Sequence, residues 1–363
     1  MKRRSIRHTA RACVLLAGLA AAGFSENAAL AQEQPIKLGL GGKLRHFFFV
    51  ADQDELPAER LNATGMSTDA EVFFKGETTL DSGLRVSATI ELETESRNDR
   101  NADEAYIDFR GDFGRVRIGE KESFNSSFIG DPYPEAFLTT DERIVGEMAV
   151  RSRNGIGMTD TFTFKRFVSD VLGVNYQTPD MNGFQAAVGY HPSTDDREGT
   201  LDAATRQNNA IDVSGRWQAD LDRNTRLRIG GGYLHIDSRK TLAGNDGLAA
   251  FNVNVSATRG DWAVGGTYMD VNPANDLDEE DYGIGVLRKG YPWTLSADFT
   301  YALRDATPNA ALRERTRQVK LQSGYKLGPG IDLGLAGFFV DQRTSAGARF
   351  DAVGAVGGAK LEF

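Results

Sequence analysis

Residues 84–93 read Leu84, Arg85, Val86, Ser87, Ala88, Thr89, Ile90, Glu91, Leu92, Glu93. Every even position is apolar and every odd one is charged or carries a hydroxyl. A period of two is the signature of a strand with one greasy and one wet face. The pattern recurs along the chain. Phe251, Val253, Val255 and Ala257 alternate with Asn252, Asn254, Ser256 and Thr258, and Leu295, Ala297, Phe299, Tyr301 and Leu303 alternate with Thr294, Ser296, Asp298, Thr300 and Arg304. Near the start, the even positions from Ile36 to Leu44 are apolar or glycine, while Lys37, Lys43 and Arg45 occupy odd ones.

The connections alternate too. Short turns at Asp81-Ser82-Gly83, Gly111 to Gly114, Arg259-Gly260-Asp261 and Gly328-Pro329-Gly330 are separated by longer polar stretches. The latter include Asp52 to Thr68, Pro192 to Asn208 and Asp341 to Arg349. Strand, short turn, strand, long loop is the rhythm of an up-and-down transmembrane barrel. A soluble sandwich would carry charge only on its outer strand faces, whereas here nearly every strand has a polar face. A sheet in lipid must also close, because an open edge leaves backbone groups unpaired. The fold class expected is therefore all-β, a transmembrane antiparallel β-barrel of about sixteen strands. The second strand is placed at 70–80 and the sixth at 167–178.

The ends and the composition agree with an exported chain. Lys2, Arg3, Arg4, Arg7 and Arg11 precede an apolar block from Ala12 to Phe24, followed by Ala29-Leu30-Ala31. This reads as a secretory signal peptide at residues 1–31, leaving a barrel domain at 32–363. The whole chain carries a net charge of −9, and removing five basic residues and Glu26 with the signal brings it to −13. Its one cysteine, Cys13, leaves with the signal, so packing and backbone pairing must hold the domain together. So acidic a chain is a poor partner for nucleic acid. No mature stretch offers eighteen consecutive apolar residues.

These residues resemble the general porins of Gram-negative outer membranes, particularly those of proteobacteria. The likeness is carried by the first strand (Ile36 to Leu44), by Phe74-Lys75-Gly76-Glu77-Thr78, and by the block from Glu104 to Gly119 that begins Glu-Ala-Tyr. It is also carried by the terminal Phe363 with Leu361 two before it. The resemblance implies a homotrimeric diffusion channel for small hydrophilic solutes, surrounded by outer-membrane lipid and lipopolysaccharide, with no cofactor. It also implies that Phe363 is read by the barrel assembly machinery. Finally, it implies an inward-folded third loop, here residues 122–153, with Pro134-Glu135 matching the proline–glutamate pair of the family's constriction.

Charge at the narrowest point of such a pore biases the sign of the ions that pass. On the resemblance, the constriction acids are Asp131, Glu135 and Asp141, with Glu142 as a further candidate. The facing wall bases are Lys43, Arg45, Lys75, Arg85, Arg115 and Arg117. Many relatives carry arginine where this chain has Glu71 and Asp103, which leads to an expectation of weak cation preference. A substrate-selective channel for a sugar or organic anion, or a non-conducting structural or adhesion barrel, are the alternatives. For catalysis the mature chain offers only His46, His191 and His235, on distant strands and without paired metal spacing.

Overall fold

The computed structural model describes residues 36–55, 59–94, 102–139, 142–146, 148–151, 162–194, 207–238, 247–273, 277–305 and 312–363. The expected signal peptide lies outside them. Sixteen strands follow in chain order. They are β1 (Lys37–Gln53), β2 (Thr64–Thr79), β3 (Arg85–Glu93), β4 (Ala102–Gly111), β5 (Gly114–Glu120), β6 (Leu172–Gln177), β7 (Phe184–Ser193) and β8 (Gln207–Asp220), then β9 (Thr225–Ser238), β10 (Leu248–Arg259), β11 (Trp262–Pro273), β12 (Glu279–Gly290), β13 (Trp293–Asp305), β14 (Arg313–Gly328), β15 (Ile331–Thr344) and β16 (Arg349–Glu362). Each is antiparallel to its chain neighbours, and β16 returns to pair with β1, closing the barrel.

Closure explains the inverted distribution of side chains. On β3, Ser87 and Thr89 are 5% and 8% exposed, whereas Ile90 between strand neighbours is 47% exposed. Leu38, Leu321 and Leu335 are exposed in the same way. The outer surface is an apolar band suited to lipid, and the polar set faces inward. The seam is fastened by the last residue. The Phe363 amide donates to the Gly42 carbonyl at 3.1 Å, and the Gly42 amide donates back to Phe363 O at 3.0 Å. At the neighbouring turn Gly330 has φ +71°, and a Cβ there would collide with the Glu362 carbonyl.

Three stretches depart most from the sequence reading. β2 begins at Thr64 instead of 70, because Thr64 to Ser67 pair with Val50 to Phe47. The stretch Asp341 to Arg349, expected as a long loop, is mostly strand, with a tight turn closed by Ala348 O accepting from the Thr344 amide at 2.9 Å. β6 is only Leu172–Gln177, since residues 162–171 leave the wall and pack within it. The first two departures share a cause: backbone pairing continues through polar residues wherever the partner strand continues.

Candidate functional site

The insertion between β5 and β6 occupies the interior. It opens with a short helix, α1 (Phe124–Ile129), whose N-cap Ser123 accepts from the Asn125 amide. Asn125 then ties the helix to the wall, donating to Ser214 Oγ at 3.1 Å and to Asn252 Oδ1 at 3.0 Å. Its carbonyl oxygen accepts from Asn252 at 2.8 Å and from the Phe164 amide at 3.0 Å. One buried amide thus joins α1, β8, β10 and the returning segment.

After α1 the chain runs along the polar faces of successive strands. Asn254 on β10 donates to the Pro132 carbonyl, and the Ala136 amide donates to Ser296 Oγ on β13 at 2.9 Å. The Leu138 amide reaches Gln322 Oε1 on β14 at 2.7 Å, and Lys360 on β16 donates to the Phe137 carbonyl at 2.6 Å. Wall glycines make room for the bulk. A Cβ at Gly283 would sit 2.7 Å from the Tyr133 ring, and one at Gly334 would land on the ring of Phe137. All these wall positions share one parity, opposite that of the exposed apolar band.

Two apolar clusters complete this belt. Phe137, Leu138, Ile144 and Val150 pack with Phe47, Phe338, Val340 and Val356 from β1, β15 and β16. Tyr133, Phe162, Phe164 and Val168 pack with Leu234, Ile236, Met269 and Val271 from β9 and β11. The inner face is therefore not polar throughout; where the insertion lies on it, it is dry. Arg166 pins the returning segment, donating to Glu279 at 2.6 Å and to Asp281 at 3.0 Å.

The loop acids fare differently from one another. Asp131 is exposed, and its charge acts on Arg228, whose guanidinium donates to the Ser127 and Phe128 carbonyls. Glu135 is not a free constriction acid. Its Oε1 lies 2.6 Å from Lys320 Nζ and both side chains are buried, because the belt presses its tip against β14. Asp141 lies outside the described residues. Glu142 meets Lys360 at 2.7 Å and Arg45 at 3.0 Å, and accepts from the Thr139 amide and hydroxyl at 2.7 and 2.6 Å. Burial alone would raise its carboxyl. Lys360, Arg45 and Thr139 together outweigh burial and hold it below the usual carboxylate range.

Register puts all six wall bases on the inner face, but only Arg45 meets a described loop acid. Lys43 pairs with Glu71 at 2.7 Å and Asp69 at 3.3 Å, and Arg45 reaches Asp69 at 3.2 Å as well. Lys75 lies 2.9 Å from Glu77. Arg115 and Arg117 converge with Arg110 on Asp108, and the Phe124 ring sits under both of the former. Arg85 is exposed opposite Arg110. Asp103 sits at a bulge of β4, its carboxylate near those of Glu71 and Glu93.

Lys320 and Lys360, the belt's main cationic anchors, escaped the assignment of wall bases. Their parity was readable, but nothing local says which wall the loop will touch. The carboxylates of Glu104, Glu122 and Asp170 come within 4.8 Å of one another, a spacing that could hold a cation. The Lys121 ammonium already bonds Glu104 and lies 3.1 Å from Glu122. His46 contacts Thr68 Oγ1 at 3.0 Å and His235 contacts Asp237 at 3.1 Å, while His191 is buried on β7.

A closed barrel with an apolar outside and a charged inside defines an outer-membrane channel. The chain belongs to the Gram-negative porin family, whose model matches residues 12–345. No curated protein matches it. Among solved structures, an anion-selective porin from Comamonas acidovorans superposes with a TM-score of 0.65 at 15% identity, over 91% of this chain and all of the other. The outer-membrane channel DcaP of Acinetobacter baumannii gives 0.61 at 12% identity, over 94% and 99% of the two chains. The trimer form of OmpT, an outer-membrane protein of Vibrio cholerae, gives 0.60 at 14% identity, over 91% of this chain and all of that one. At such identities the likeness is one of fold.

Proposed function

We propose that this protein is a passive diffusion channel for small hydrophilic solutes and ions, weakly cation-preferring. In this reading residues 1–31 direct export and are removed, and residues 122–153 are the constriction loop. One observation carries it. The belt from α1 to Glu142 is bonded to the polar faces of β8, β10, β13, β14, β16 and β1 and starts beside Arg115 and Arg117 of β5, which leaves the charged faces of β2 and β3 outside its bonds. Among the described loop acids Asp131 is the one that keeps its exposure, and Glu71 and Asp103 add negative charge to the wall. Assembly as a homotrimer accords with the trimer form of the V. cholerae relative.

The test is the reversal potential of refolded protein in a salt gradient across a planar bilayer. We expect a modest potential of the sign that marks cation preference. Clear chloride preference overturns the selectivity. Failure to conduct overturns the channel and favours a structural or adhesion barrel.

A further inference from the structure

The inner face of β2 to β5 carries two rows of like charge at different heights. Near the short turns, Arg85 stands directly opposite Arg110, and Arg110 directly opposite Arg115. Toward the long connections, Glu71 stands opposite Glu93, and Glu91 opposite Glu104. Like charges placed directly across a sheet destabilise it, so neither row is explained by the fold. Arg85 and Glu91 are six residues apart on β3, about 20 Å along the strand.

Counter-charges soften the rows without erasing them. Asp108 answers Arg110, Arg115 and Arg117 together, and Glu77 answers Lys75. Above, Lys43 and Arg45 serve Glu71 and Asp69, and Lys121 serves Glu104 and Glu122. Over the rest of the inner face Arg216, Arg228, Lys289 and Lys326 lie toward the short turns and outnumber Asp220, Asp332 and Glu362 there, while Asp212, Glu279 and Asp281 lie toward the long connections. Short turns of such barrels face the periplasm and long loops the exterior. The lumen is thus acidic at its outer end and basic at its inner end.

We infer that the channel rectifies, conducting small ions better in one direction than in the other. This rests on the chain's being an open channel. Cations gather in the acidic outer half and anions in the basic inner half. With the exterior positive, both are driven toward the middle, where they accumulate and carry current. With the exterior negative, both are drawn away, and the middle is depleted.

The test is the current–voltage curve of single channels in symmetric potassium chloride. Orientation is assigned by the chamber from which an impermeant thiol label reaches Ala346→Cys on the outer turn. The Debye length of about 10 Å at 0.1 M is shorter than the separation of the rows, and about 3 Å at 1 M screens both. At 0.1 M we expect a current at least about 1.5-fold larger with the exterior positive, against a ratio near 1 at 1 M. Arg85→Gln and Glu91→Gln, each alone, lower the ratio at low salt. A conducting channel with a symmetric curve at low salt, or a ratio unmoved by both variants, overturns the inference and leaves the channel reading intact. A protein that does not conduct overturns both.

Discussion

Lys320 Nζ lies 2.6 Å from Glu135 Oε1, and the two side chains are 0% and 2% exposed. Asp298 lies 3.6 Å from the same ammonium, so one lysine serves two acids in a site closed to water. Removing one partner of a buried pair costs about 3–5 kcal/mol, because the other charge stays behind. Lys320→Met leaves Glu135 and Asp298 without their cation. We expect it to loosen the belt tip and speed protease cleavage between Asp131 and Leu138. Combining it with Glu135→Leu recovers most of the loss, since Gln322 still donates to Asp298 at 3.0 Å. Equal damage in the single and double variants would show that the two residues are not coupled.

The second anchor titrates. Glu142 is held below the ordinary carboxylate range by Lys360, Arg45 and Thr139, against the opposing push of burial. A carboxyl depressed on folding stabilises above its unfolded value and loses that contribution as pH falls through the folded one. The attachment is therefore constant from neutral pH down to the unfolded value near about 4.3, and weakens below it. Single-channel recordings should show steady current above that range and growing closures below it. Glu142→Gln should flatten the acid response, and an acid response unchanged in that variant would assign the effect to other carboxyls.

The barrel was legible because its rule is local: period two, short turn, period two, long loop. The belt was less so. Glu135 and Lys320 are 185 residues apart, and no local pattern reports a contact of that span. One local trace did exist. In β9, Leu234 and Ile236 put apolar side chains on the face where Arg226 and Arg228 are polar, marking the height at which Phe162 and Phe164 cover the wall. Gly283, Gly324 and Gly334 gave an ambiguous signal, since glycine suits a curved strand as well as it suits a seat for a loop.

Gly334 separates those two roles. A Cβ there falls on the Phe137 ring, while at Gly337, three residues along the same strand, nothing lies within 4 Å. Gly334→Ala should displace Phe137 from β15 and change single-channel conductance by a measurable step, and Gly337→Ala should leave it at the wild-type value. Equal effects of the two on conductance would mean that backbone curvature, and not the ring, requires glycine at 334.

Phe363 fastens the seam, and we propose that its ring is separately read by the barrel assembly machinery. Its backbone exchanges two hydrogen bonds with Gly42 across the seam, and its side chain points outward at 67% exposure. Phe363→Ala keeps both backbone bonds, whereas deleting the residue removes them at about 1 kcal/mol each. In detergent refolding we expect the alanine variant to resist heat like the parent chain, and the deletion to melt earlier. In cells that proposal has both variants reaching the outer membrane poorly, since each lacks the ring. If the alanine variant is inserted at the parent's level, the terminal aromatic serves only the seam. If it also fails to refold in detergent, the ring itself closes the barrel by packing on Gly42, where a Cβ would come within 2.6 Å of it.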